Sequence, residues 1–167
     1  MRLIPTLAAA AALFVSLASS DALAANRAFG EQWGQASEAA VAQAGNENQT
    51  NVAQDGERQY AHGWQRGRGN FFRLVQRGLR DRMSIGQLGD NNYANVRQLG
   101  RGLTTSISQD GNGNIAFVRQ LGTDNTATIA QTGSHNIAGV LQIGNGHNAQ
   151  IVQTGNGKIN FVVQGGF

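Results

Sequence analysis

The chain has 167 residues, of which 23 are Gly, 1 is Pro and none is Cys, and only 14% of it is charged. Without Cys there is no disulfide framework, no Cys-ligated zinc and no thiol nucleophile, and a net charge of +3 is too mild to imply a nucleic-acid partner. With 17 Gln and 16 Asn besides the glycine, the composition points away from an ordinary globular enzyme and toward a chain that is either disordered or regularly repetitive.

Residues 1–24 read as a secretory signal peptide. Arg2 supplies the positive start, Leu3 to Leu17 is apolar and Ala-rich, and Ala22-Leu23-Ala24 reads as a cleavage site. The one proline, Pro5, lies inside it, and no Cys follows that would carry a lipid. No later stretch is long and apolar enough to span a membrane. The mature chain is expected to be 25–167, exported through the periplasm.

That stretch is built on a period of eleven. Gln87, Gln98, Gln109, Gln120, Gln131, Gln142, Gln153 and Gln164 continue a series that begins at Gln32, Gln43, Gln54, Gln65 and Gln76. Two residues after each comes a glycine, among them Gly89, Gly100, Gly111, Gly122, Gly133, Gly144 and Gly155. The 143 residues after position 24 are thirteen such units. Within a unit the pattern alternates, as in Asn92-x-Ala94-x-Val96-x-Gln98 and in the copies that start at Asn114, Asn125 and Asn136. Four residues at spacing two face one side of a strand of about seven residues. The remaining four make a turn in which the glycine is expected at positive φ.

A longer period lies inside. Val52, Val96, Val118 and Val140 mark one class of unit, and Ile85, Ile107, Ile129 and Ile151 mark the class between them. Alternating classes give a 22-residue rung. The expected fold is all-β: an amyloid-like β-solenoid of 11-residue strand-turn units, two strands per rung, each class stacking into its own sheet. The inward Gln and Asn would otherwise cost a few kcal/mol each. In a solenoid the same amide recurs one rung away, roughly 4.8 Å off, and an amide ladder satisfies it.

The pattern frays over residues 58–82. Arg58, Arg66, Arg68, Arg73, Arg77, Arg80 and Arg82 crowd there against Asp81, while Phe72 and Met83 replace the inward Ala. Large side chains in facing slots are expected to loosen this rung. The arginines read either as a solvated gatekeeper face that slows assembly or as a patch for an acidic surface partner such as lipopolysaccharide or extracellular DNA. Farther on, Ile115, Ile137 and Ile159 should stack outward beside Phe117 and Phe161 as a lateral contact or as simple β-propensity. Lys158 takes an inward slot and needs an open last rung. The first strand-like stretch starts two residues after the cleavage site, and only Gly165-Gly166-Phe167 follows the last. Uncapped edges of this kind are expected to add copies head to tail into an extracellular cross-β filament.

Gln87-Leu88-Gly89-Asp90-Asn91-Asn92-Tyr93-Ala94-Asn95-Val96-Arg97-Gln98 resembles the curlin repeat, and the resemblance runs over essentially the whole mature chain. It implies a subunit of curli, the bacterial functional amyloid of cell adhesion and biofilm matrix. It further implies polymerisation with itself and other curlin subunits, guided by the stacked Gln and Asn, and export by an outer-membrane curli secretion machinery. Q-x-G in every eleven is closer to the minor, nucleating subunit than to the major one.

No catalytic or cofactor chemistry is expected. His62, His135 and His147 fall at different unit positions and do not stack as metal ligands, and Ser106, Asp110 and His135 share no triad spacing. The alternative function is a soluble secreted solenoid that binds a surface polyanion or ice, the latter along Thr104, Ser106, Thr126 and Thr128.

Overall fold

The computed structural model describes residues 12–18 and 25–166, with side chains from residue 25 onward. After β1 (Ala12–Ala18) come β2 (Arg27–Gln35), β3 (Glu38–Asn46), β4 (Gln49–Glu57), β5 (Tyr60–Arg68), β6 (Phe71–Leu79) and β7 (Arg82–Leu88). The series continues with β8 (Tyr93–Arg101), β9 (Thr104–Asn112), β10 (Ile115–Thr123), β11 (Thr126–Ser134), β12 (Ile137–Asn145), β13 (Asn148–Thr154) and β14 (Ile159–Gly166). Even strands form one sheet and odd strands the other. Every pair is parallel, and from β2 onward each residue lies beside the one 22 positions along. The fold is a β-solenoid with two strands per 22-residue rung, as the alternation of Val and Ile units predicts.

The period dictates this directly. Alternate residues face inward, so Ala94, Val96, Ala116 and Val118 of the even sheet meet Ile107, Ala127 and Ile129 of the odd sheet in one buried core. A slip of one residue would turn these side chains to water, which fixes the register. Most strands are nine residues long rather than the expected seven, because pairing continues through Gln-x-Gly. In β8 it runs through Leu99-Gly100-Arg101, and Gly100 stands beside Gly122 of β10.

The signal-peptide reading falls mostly outside the described residues, cleavage site included. Its apolar stretch is nevertheless drawn into the fold: β1 lies parallel to β3, with Leu17 beside Gln43. An apolar run pairs readily with an open strand edge.

The expected loosening around residues 58–82 is overturned. Phe72 and Met83 are fully buried, and the ladders pass through this region unbroken. Space for the ring comes from Gly63, which stands in the odd sheet where other rungs carry Val or Ile. A Cβ on Gly63 would lie 2.2 Å from Phe72 Cζ. Volume is exchanged across the two sheets and conserved within the rung. Gly63→Val is therefore expected to cost about 1–3 kcal/mol by overpacking. In a Phe72→Ala background the same change should instead fill the space the ring vacates. A double-mutant cycle from denaturation midpoints checks this, and additive effects would refute the compensation.

Candidate assembly site

The inward glutamines form two continuous ladders. In the even sheet Gln54, Gln76, Gln98, Gln120 and Gln142 each donate from Nε2 to Oε1 of the next glutamine, ending on Gln164, at 2.8–3.0 Å. Gln32 donates to Gln54 in the same way. In the odd sheet Gln43, Gln65, Gln87, Gln109 and Gln131 do so, ending on Gln153, at 2.6–2.9 Å. Each Nε2 has a second proton, and it crosses to the opposite sheet: Gln98 donates to Arg82 O at 3.1 Å and Gln109 to Tyr93 O at 3.0 Å. One side chain thus ties successive rungs together and the two sheets to each other.

The asparagines run the other way. Asn92, Asn114 and Asn136 donate from Nδ2 to Oδ1 of the asparagine one rung toward the N-terminus, at 3.1 Å, continuing the series from Asn48 and Asn70. The same Nδ2 reaches a turn-glycine carbonyl, Gly111 O for Asn92 and Gly133 O for Asn114. Asn125, expected in this stack, lies instead in the other column between Leu103 and His147. It donates to Gly144 O and accepts from the His147 backbone N–H at 2.9 Å, a fixed turn rather than a ladder rung. Lys158 ends the asparagine column; its backbone N–H reaches Asn136 Oδ1 at 3.0 Å while its side chain stays exposed.

Opposed donor directions give the stack a polarity. Gln acceptors face the N-terminal end, and Gln donors face the C-terminal end. At the N-terminal end of the odd ladder Gln43 Oε1 is buried without a hydrogen-bond partner. Among the described residues two other buried side-chain oxygens lack partners, Gln59 Oε1 and Asp81 Oδ2, one rung apart in a single column.

The family model for the curlin associated repeat matches residues 45–78, 89–122 and 122–155, which carry most of these ladders. The chain belongs to the curlin family. Comparison with curated proteins and with solved structures gave no match. Curlins are structural subunits of amyloid fibres outside the cell and are not an enzyme family.

In this curlin the seven arginines of residues 58–82 do not share one surface. Arg73 and Arg77 point outward from the even sheet, while Arg66, Arg68 and Arg82 belong to odd-sheet strands. Arg58 and Arg80 sit in left-handed turn positions, at φ 54 and 61. Two arginines not singled out by the local density, Arg97 and Arg119, stand beside each other on β8 and β10, on the same face as Arg73. Their spacing of 22 was the signal for them. Ile115, Ile137 and Ile159 do stack on that face, and in the next outward column Gly139 separates Phe117 from Phe161.

Proposed function

We propose that this curlin is a secreted structural subunit of extracellular curli fibres, adding copies head to tail to serve adhesion and biofilm matrix. In this reading residues 1–24 are removed during export, and an outer-membrane curli machinery passes residues 25–167 to the surface. The observation that carries the proposal is the polarity of the ladders together with the unmet acceptor on Gln43. An incoming rung that carries Gln in register would supply a donor for that oxygen and would extend both sheets. Regular Q-x-G in both halves of the rung favours the nucleating role.

The test is a thioflavin T time course on residues 25–167 diluted from denaturant, with and without preformed seeds. A lag that seeds abolish is the expected result. A short unseeded lag, with the ability to start a major curlin, supports the nucleating role. A flat trace from a monomeric β-rich protein would overturn the fibre reading and favour a soluble binding module.

A further inference from the structure

Every ladder residue so far faces inward, and the outward face of the even sheet carries a second organisation. Arg97 and Arg119 are register partners, both exposed, so their side chains leave the sheet roughly 4.8 Å apart at the backbone. Like charges directly opposite on neighbouring strands repel. No carboxylate relieves them: among the described residues the ion pairs are Arg68–Glu47 at 3.1 Å and Arg77–Asp55 at 4.0 Å. Arg73 stands on the same face, also exposed and outside those pairs.

These three guanidinium groups border a groove of about 630 Å³ that crosses the strands from β6 to β14, parallel to the stacking axis. On its floor the Phe161 ring covers Gly139. A Cβ there would lie 2.4 Å from Phe161 Cδ1, so the Phe161 ring lies down against the sheet where a side chain would otherwise stand. Phe161 and Phe117, 61% and 42% exposed, stand in one outward column on either side of Gly139. The result is a long open trough with cations at one end and aromatic surface at the other.

We infer that this trough binds an acidic polysaccharide, the sugar rings lying on Phe117 and Phe161 and the carboxylates meeting Arg97, Arg119 and Arg73. The inference rests on the extracellular placement proposed above. Carboxylates pair with guanidinium in two-point hydrogen bonds, which a single amide or hydroxyl cannot replace. A chain ligand suits a trough that is open along the axis and repeats in every copy, so that many weak contacts sum. A second copy of the protein is a poor occupant. No two acidic residues of this sequence are 22 apart, so no stacked acidic column exists to face the stacked arginines. Duplex nucleic acid presents a convex, highly charged cylinder that would leave the aromatic floor unused.

The test is the anisotropy of fluorescein-labelled alginate oligomers, a polyuronate, titrated with folded residues 25–167. Neutral dextran, poly-glutamate and oligo-dT serve as competitors. Two charge-matched variants are compared, Arg97→Gln with Arg119→Gln, and Arg27→Gln with Arg101→Gln. All four residues are exposed, and an unchanged circular dichroism spectrum verifies the fold. The expected result is at least a tenfold loss of affinity in the first variant and less than a twofold change in the second, with dextran and poly-glutamate competing poorly. Equal loss in both variants, or equal competition by poly-glutamate, reduces the effect to net charge and overturns the site. Equal competition by dextran removes the role of the carboxylates, and displacement by oligo-dT makes single-stranded nucleic acid the occupant. Assembly is scored separately by sedimentation, so a chain that binds alginate without polymerising overturns the fibre reading alone.

Discussion

Replacing Gly100 with alanine is expected to cost more than about 4 kcal/mol and to abolish seeded assembly. The glycine has φ 150, and a Cβ built on it lies 1.9 Å from the carbonyl oxygen of Gly122 on the next rung. Backbone is the obstacle, so no rotamer relieves the contact. Either β8 and β10 separate at this point or the turn after β8 is rebuilt, and both routes break the neighbouring pair Gln98–Gln120. The control is Gly146→Ala, at φ 69 with nothing within 4 Å of the added atom. That change should cost only the left-handed penalty of about 1–2 kcal/mol. Denaturation midpoints and thioflavin T lags on the two variants separate the explanations. Equal effects would mean that φ alone matters and that the close backbone stacking of Gly100 on Gly122 does not.

Much of this architecture is legible in the sequence because a strict period encodes register. Thirteen glutamines at intervals of eleven fix which residues face inward, and the split into Val and Ile units assigns each strand to its sheet before any contact is known. What the period does not carry is the relation between the two sheets. Phe72 looks too large for its slot until Gly63 is found across the core, and no spacing rule pairs a residue with one nine positions earlier in the opposite sheet. Nor does it carry direction. Gln and Asn are equally good ladder formers in sequence terms, yet their amides donate in opposite senses, because the Gln side chain reaches across the core while the shorter Asn bonds the adjacent turn. Asn125 shows the same limit: its neighbours 22 residues away are Leu103 and His147, so an asparagine in the right unit position has no ladder to join. Arg97 and Arg119 were hidden because density along the chain draws attention to residues 58–82, whereas proximity in a solenoid follows multiples of 22.

Asp81 should make stability depend on pH. It occupies the slot that holds asparagine in the even-sheet column, and it is fully buried. Oδ1 accepts the Leu103 backbone N–H at 3.0 Å, but Oδ2 has no partner. In the asparagine column the corresponding atom is an Nδ2 that donates to the rung before it. The rung before Asp81 holds Gln59, whose Oε1 is the other buried acceptor without a partner in this column. Two unmet oxygens, one rung apart, call for a single proton between them, and a protonated Asp81 would supply it. The charged residues on either side, Arg80 and Arg82, are exposed, and the column neighbours Gln59 and Leu103 are uncharged. Burial accordingly raises the carboxyl from an ordinary 3.8 to about 6, opposed only by the Leu103 hydrogen bond. A folded-state value above the unfolded one means that the protonated group favours the fold. Its contribution is complete below about pH 4 and is lost as pH rises through about 6, a loss of about 3 kcal/mol. Asp81→Asn places a permanent donor at the same atom. The variant is expected to be more stable than the parent at pH 7.5 by up to about 3 kcal/mol, with a shorter assembly lag, and the difference should shrink toward zero at pH 4. Guanidinium midpoints of both proteins at pH 4, 5, 6 and 7.5 measure that difference directly, and titration of the other carboxylates cancels in the comparison. A difference that stays constant across the series would mean that the carboxylate is ionised throughout, hydrated by local opening of the rung and not buried against Gln59.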